Sequence, residues 1–382
     1  MKVLLLVSAL VFTMTSYGQP TLNGRTTGLL PYLEYGPGDD RLGGAKMTYL
    51  DTNIFLNVID STGDDYKVRL SANHFAFLPK TAFRQDSSIK LQPWYLTSSW
   101  KVHGDEKHDY ITVTLPEKLP YKSTHQISPS KLLVDVYGAT SNTNWITQLK
   151  TVREIKNVWH EQVEDDVFRI HIELLHAQHW GHAIYYKNNN LVIRIKRQPR
   201  LKYKGLTIAV DAGHGGINSG ASGLNSKILE KDYTLKIAQK LERHLRRKGA
   251  KVYMVRNHDT DLTMIERTVM LRGQDPDLMI SVHLNSSSNK TVSGTSTYYR
   301  HIGFRPLSTA ILNELLKLEL NNFGNIGAFN FALSGPTEYP NCLVEVAFLS
   351  NAADELKIKD ERFQKDVAKK IYKGIKNWLK SL

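Results

Sequence analysis

From Leu206 to the C-terminus, short apolar runs alternate with segments of helical period, and no other feature of this chain restricts its fold as much. The runs "LTIAV", "KVYMV", "LMISV", "TSTYY" and "CLVEVAF" have the length and composition of buried strands. Between them, Leu235, Ala238, Leu241 and Leu245 fall on one face of a helix that stops at Gly249. Leu307, Ile311, Leu315 and Leu318 mark a second helix, and Val367, Ile371, Ile375 and Leu379 a third. Strands alternating with helices predict an α/β domain over residues 206–382, with a mainly parallel sheet flanked by helices.

The first half carries a different pattern. At 382 residues the chain exceeds one typical domain, and residues 24–197 read as two all-β modules. In "LNVIDSTGDDYKVRLSANHFAFLPK", alternating runs punctuated by Gly and Asp predict hairpins closing into a small barrel over residues 24–92. The run resembles bacterial SH3-like domains. Over residues 93–197, "YITVTLP", "KLLVDVYGA", "IKNVWHEQ", "FRIHIELL" and "LVIRIKR" are strand-length with near period-two alternation, which predicts a β-sandwich. This part is similar to the AMIN domain, through "LLVDVYGA", "VREIKNVWHEQVEDDVFRIHIEL" and "NNLVIRIKR". The resemblance implies targeting rather than chemistry. "QPRLKYKG", residues 198–205, reads as a basic linker. The expected architecture is thus multidomain: an SH3-like barrel, an AMIN-like sandwich and the α/β domain.

Residues 1–18 place one Lys before an apolar run from Val3 to Phe12 and then small and polar residues, the pattern of a secretory signal peptide. The run is too short to span a bilayer, and no other segment reaches the ~20 apolar residues of a transmembrane helix. An exported monomer of the periplasm or cell wall is expected. The single Cys342 cannot close an intramolecular disulfide, so stability must come from ordinary cores. Fifty Lys+Arg against 37 Asp+Glu give a formal charge of +13, which favours an anionic partner. For an exported chain that points to lipid headgroups or carboxylate-rich wall polymers rather than nucleic acid; a merely solubilising surface charge is the alternative, since the basic residues are spread along the chain.

Chemistry enters at "VDAGHGG". In open α/β sheets, ligands collect at the carboxyl ends of strands, where successive loops converge. His214 lies just past "LTIAV", in a turn that Gly213, Gly215 and Gly216 allow to be sharp. His283, in "ISVHLNS", ends a second strand of the same sheet, and Glu230 opens the helix of "ILEKDYTLKIAQKL". Two His and one Glu form a recurrent ligand set for catalytic zinc, with the fourth position open. Each residue also has an ordinary reading, Glu230 as half of a surface pair with Lys231 and His283 as a satisfied strand-end residue. The nine histidines before residue 183 fall in no metal-ligand spacing and read as structural or surface residues.

Glu345 interrupts the apolar strand "CLVEVAFLSN". Burying a carboxylate without partners costs several kcal/mol. It is either an outward residue of an edge strand, half of a buried pair with Arg267 or another base, or a general base facing a metal-activated water.

Taken together, "TIAVDAGHGG", "LEKDYTLKIAQKL", "MIERTVMLRGQDPDLMISVHLNS", "GTSTYY" and "PNCLVEVAFLSN" follow the order and spacing of the zinc-dependent N-acetylmuramoyl-L-alanine amidases of the amidase-3 family, which this region resembles from about Leu206 to Leu379. The resemblance implies Zn2+ ligands at His214, Glu230 and His283, a catalytic glutamate at Glu345, and a recurrent arginine at Arg267 that serves structure, substrate or Glu345. It implies peptidoglycan as substrate, cleaved between N-acetylmuramic acid and L-alanine, with an activator protein as a further candidate partner. Two departures stand out. Ser334 and Gly335 of "FNFALSGPTEYPN" replace an arginine many relatives carry, which points to a changed substrate contact, and only "RHIGF" stands where some relatives insert an autoinhibitory helical segment. The short connection implies a constitutively open site. A zinc endo- or carboxypeptidase acting on stem peptides is the rival activity, and a non-catalytic wall-binding protein the rival class.

Overall fold

The computed structural model describes residues 21–38, 43–92 and 94–382, so the expected signal peptide lies outside the described residues. The α/β region comprises β1 (Thr207–Ala212), α1 (Glu230–Arg247), β2 (Lys251–Met254), α2 (Met264–Gln274), β3 (Leu278–Asn285), β4 (Thr295–Tyr298), α3 (Arg305–Leu315), β5 (Asn322–Ile326), β6 (Asn341–Phe348), α4 (Ala352–Lys359) and α5 (Glu361–Ser381). Its six-stranded sheet has the order β2-β1-β3-β6-β4-β5. Strands β2, β1, β3 and β6 run parallel, and β4 is antiparallel to β6. The expected mainly parallel sheet is therefore present, with β5 added at one edge; its text, "NFGNI", has too little apolar character to read as a strand.

Both faces of this sheet are covered, which is why its central strands read as nearly continuous apolar runs. Ile208, Val210, Ile280, Val282, Val344 and Val346 pack with Ile237, Leu241 and Leu245 of α1, Leu307 and Ile311 of α3, and Ile371 and Ile375 of α5. The intervening Ala209 and Met279 face the other way, against Leu271 of α2, Leu333 and Tyr339. Period-two alternation thus sorts one strand's side chains between two cores. The helices begin where their sequences supply acceptors: Thr263 and Glu266 form a reciprocal capping box on α2, and Asn351 and Asp360 cap α4 and α5. Helix α1 has no side-chain cap. Instead Glu230 N and Lys231 N donate to the carbonyls of Ala221 and Ser219, so the preceding loop is tied to the helix start.

The N-terminal half is built from several β-sheets. Residues 22–85 form a seven-stranded antiparallel sheet. Downstream, a five-stranded and a four-stranded sheet contribute Ile111, Val113, Leu191 and Ile193, and Leu132, Val134, Ile170 and Ile172, to one shared core. That core also takes in Leu33, Ile54, Val58 and Leu78 of the first sheet, so buried apolar contact is continuous across the two β regions. The 198–205 segment is packed rather than free: Tyr203 is buried, stacks on Tyr372 at 5.0 Å and donates to its carbonyl.

The β-rich half docks on the amino edge of the α/β sheet. His182 and Thr337 exchange backbone and side-chain hydrogen bonds of 2.8 and 2.9 Å. Lys196 pairs with Asp275 and donates to the Pro276 carbonyl, Tyr49 donates to the Ala332 carbonyl, and Trp378 donates to Gln178. Residues 275–276 enter β3, and residues 332–337 enter β6. At the same edge, His125, His179, His182 and His301 cluster, with His125 4.5 Å from His179 and 5.2 Å from each of the others, centroid to centroid. Four of the chain's histidines are thus structural residues of a domain junction. The "SGPT" turn and "RHIGF" belong to that junction as well: the His301 ring donates to the Gly335 carbonyl, and Tyr49 packs against Gly335. Among the described residues, no helix is long and apolar enough to cross a membrane.

Candidate metal centre and active site

Strand β1 ends at Ala212, and the chain turns immediately into the loop that carries His214. Helix α1 opens with Glu230, and His283 lies near the end of β3. The fold brings these three residues together. Glu230 Oε2 is 3.1 Å from His214 Nε2, and Glu230 Oε1 is 3.0 Å from His283 Nδ1. The imidazoles meet edge to face at 5.0 Å.

The carboxylate is held on every side. It is 3 % exposed, accepts backbone hydrogen bonds from Leu284 at 3.0 Å and Ala221 at 2.8 Å, and sits at the positive end of α1. Burial by itself would raise the Glu230 carboxyl; hydrogen bonds and charge from His214 and His283 overcome it and hold the group well below the usual carboxylate range. Burial would depress His283, yet its hydrogen bond to Glu230, with the charges of Glu230, Glu345 and Asp211, holds it above the ordinary imidazole value. The surface pair with Lys231 is not formed by Glu230: Lys231 bonds Asp259 and the Gly216 carbonyl.

Two glycines make room for this cluster. A Cβ on Gly213 would lie within 2.6 Å of Nδ1 and Nε2 of His283, and one on Gly220, at φ +68°, within 2.8 Å of both Glu230 and His214. His214 itself adopts a left-handed backbone, φ +60°, so the glycines flanking it do not absorb the whole turn.

One ligand atom from each of His214, Glu230 and His283 lies within 4.8 Å of the others. Two imidazoles and a carboxylate gathered this closely are a donor set that fits a divalent metal ion.

Strand β6 lies between β3 and β4, not at an edge, and Glu345 is 7 % exposed. In the parallel β3–β6 pair Glu345 stands in register with His283, on the same face. The edge-strand reading of Glu345 is thereby excluded. The ion partner of Arg267 is Asp211, at 2.5 Å, and its other donors go to the carbonyls of Ala212, His214 and Leu262. These contacts place the Arg267 guanidinium beneath the His214 loop. Arg256 and Asp211 join the same network and were not singled out from the sequence. Asp211 was open to discovery by the rule that found Glu345, a charge inside an apolar strand. Arg256 follows "KVYMV" and gives no such signal.

Residues 208–377 match the family model Amidase_3, described as N-acetylmuramoyl-L-alanine amidase. A probable cell wall amidase, LytH of Staphylococcus aureus, is 33 % identical over 174 residues, which are 45 % of this chain and 58 % of that protein. The chain thus spans less than two thirds of the length of this relative. Among solved structures, the catalytic domain of the amidase CwlV from Bacillus (Paenibacillus) polymyxa is 32 % identical, covering 46 % of this chain and 98 % of that one, with a TM-score of 0.44. An N-acetylmuramoyl-L-alanine amidase from Clostridium difficile 630 is 30 % identical over 46 % and 97 %, with a TM-score of 0.45. The region that matches the Amidase_3 model contains the His-Glu-His cluster and Glu345.

Proposed function

We propose that this domain is a zinc-dependent N-acetylmuramoyl-L-alanine amidase, hydrolysing the amide between the lactyl group of N-acetylmuramic acid and the L-alanine of the peptidoglycan stem peptide. The observation that carries the reading is the convergence of His214, Glu230 and His283 with Glu345 in register beside His283, inside a region that matches the family. His214, Glu230 and His283 are the residues that would hold the zinc. A zinc ion held there would supply Lewis acidity at the scissile carbonyl and toward the attacking water.

The remaining chemistry falls to the chain. Glu345 takes a proton from the attacking water on a carboxylate oxygen and delivers it to the leaving amine nitrogen as the C–N bond breaks. Asn218 Oδ1, 2.8 Å from His214 Nδ1, orients that imidazole, and Glu230 supplies its carboxylate as the third ligand. Leu284 N and Ala221 N fix that carboxylate in turn, as is usual for outer contacts around a metal ligand.

The N-terminal half is read as an SH3-like module (24–92) and an AMIN-like sandwich (93–197), joined through 198–205 to the amidase domain, with peptidoglycan as their common partner. Antiparallel strands throughout residues 22–85 and two facing sheets beyond them support this reading. The net charge of +13 suits a carboxylate-rich wall. Part of that charge is gathered on one face of the α/β domain, where burial together with Arg247, Lys369 and Arg243 pushes His244 down. Action outside the cytoplasm, in periplasm or cell wall, follows from the substrate and from the signal-like N-terminus.

The test is digestion of purified sacculi by the chain from residue 21 onward, with product masses and zinc content measured for wild type and Glu345→Gln. Free stem peptides beginning with L-Ala, from wild type alone, are expected. Internally cut stem peptides would replace the amidase by an endo- or carboxypeptidase, and zinc-loaded protein that cuts nothing, with or without a cell extract as source of activator, would leave only the wall-binding role.

A further inference from the structure

The histidine at the head of the cluster holds an unfavourable backbone. His214 has φ +60°, a region that residues with a Cβ rarely occupy and that persists only where surrounding contacts impose it. Beside the Gly215–Asn218 bridge and the His214 contact to Asn218, the turn is held by the guanidinium groups of Arg256 and Arg267, residues 2 % and 1 % exposed.

The carbonyls of three successive residues, Ala212, Gly213 and His214, all accept from them. Ala212 O accepts from Arg256 Nε at 2.8 Å and Arg267 Nη1 at 3.0 Å. Gly213 O accepts from Arg256 Nη2 at 2.9 Å, and His214 O from Arg267 Nη2 at 2.6 Å. Each arginine also reaches a second ligand-bearing element. Arg256 Nη2 donates at 2.7 Å to the carbonyl of Lys231, next to Glu230 on α1. Arg267 binds Asp211 Oδ1, and the other oxygen of Asp211 accepts at 2.7 Å from Ser281, two residues before His283 on β3.

From this geometry we infer that Arg256 and Arg267 are positioning residues: together they clamp the His214 loop in its left-handed turn and lock it to the elements carrying Glu230 and His283, thereby setting the affinity of the cluster for its metal. The inference rests on the metal-site reading above. Guanidinium is the group such a task requires, because its planar fork directs several donors at once, whereas an ammonium presents a single point. Lysine at either position keeps the charge and loses the simultaneous contacts.

The experiment measures zinc affinity of the chain from residue 21 onward by competition with a chromophoric chelator, alongside the melting temperature of the metal-free protein. Arg256→Lys, Arg267→Lys and Arg194→Lys are compared with wild type. Arg194 pairs with Asp275 at the domain junction, so its lysine variant reports what a remote guanidinium loss does. At least tenfold weaker zinc binding is expected for Arg256→Lys and Arg267→Lys, in the range found for groups that orient metal ligands, and less than a twofold change for Arg194→Lys. Affinities within twofold of wild type in both loop variants, or losses no larger than in Arg194→Lys at equal melting temperature, overturn the clamp. If Arg267→Lys does not fold because Asp211 loses its partner, Arg256→Lys decides alone, since it breaks no ion pair. A wild type that binds no zinc overturns the metal-site reading itself, an outcome distinct from unchanged affinity in the variants.

Discussion

His283 and Glu345 face each other across the β3–β6 pair, in parallel register and on the same side of the sheet. One donates a nitrogen toward Glu230, and the other places a carboxylate beside that imidazole. Adjacent parallel strands therefore deliver a candidate metal ligand and a candidate proton carrier to one spot, without a local sequence motif joining them.

Replacing Glu345 by Gln is expected to lower hydrolysis of sacculi by at least a factor of about 100, the usual scale for a general base. Zinc binding should stay within a few-fold of wild type. Product release by mass and metal content by elemental analysis check this; zinc loss equal to that of Glu230→Ala would make Glu345 a ligand instead.

Removing a ligand should uncouple metal from stability. Zinc at 100 times its dissociation constant stabilises the folded state by about 2.7 kcal/mol, so adding zinc should raise the melting temperature of wild type. In His214→Ala and Glu230→Ala the same addition should leave it nearly unchanged. Thermal scans with and without zinc, and with a chelator, make the comparison.

Gly213→Ala should damage the cluster although no functional side chain changes. Its Cβ would overlap the His283 ring, and relief of such overpacking costs roughly 1–3 kcal/mol. Denaturant unfolding of the metal-free protein measures that cost, and zinc affinity should fall with it.

The histidine cluster at the domain junction predicts acid sensitivity. Burial pushes His179 and His301 down to about 4 and His125 and His182 well below the ordinary imidazole value, and the charges of neighbouring histidines and of Arg300 add to that push. The unfolded chain binds more protons at these positions, so stability is full above the unfolded value near 6.5 and is lost as pH falls toward 4. His179, 3 % exposed, should by itself cost on the order of 2 kcal/mol at pH 5 relative to pH 8. His283, raised by Glu230, runs in the opposite sense. The informative measurement is therefore the pH 8 to pH 5 stability change in wild type against His179→Phe, where it should shrink.

Much of the α/β region was legible in the residues. The apolar runs, the three helical stripes, the two strand-end histidines and Glu230 all follow from periodicity and from the rule that sites gather at carboxyl ends of strands, because burial on two faces forces such patterns into the text. Helix α2 was harder to see, since its apolar residues line no single face (of its buried positions only Leu271 is apolar) and its start depends on the Thr263–Glu266 cap. Strand β5 was invisible because it is held at an edge by pairing rather than by apolar side chains.

Other features were decided only by the tertiary structure. Sequence can state that Glu345 must be stabilised if buried, but not that β6 is central or that its register sets Glu345 beside His283, because both depend on which strands pair. Nor can it tell that Arg267 turns to Asp211, that Arg256 joins it, or that four distant histidines and the "SGPT" turn meet at one junction. Residue types and local periods are written along the chain, and they determined the class of fold and the kind of chemistry. Partnerships between groups tens of residues apart arise when the sheet closes and the domains dock, and those partnerships decide how the chemistry is held in place.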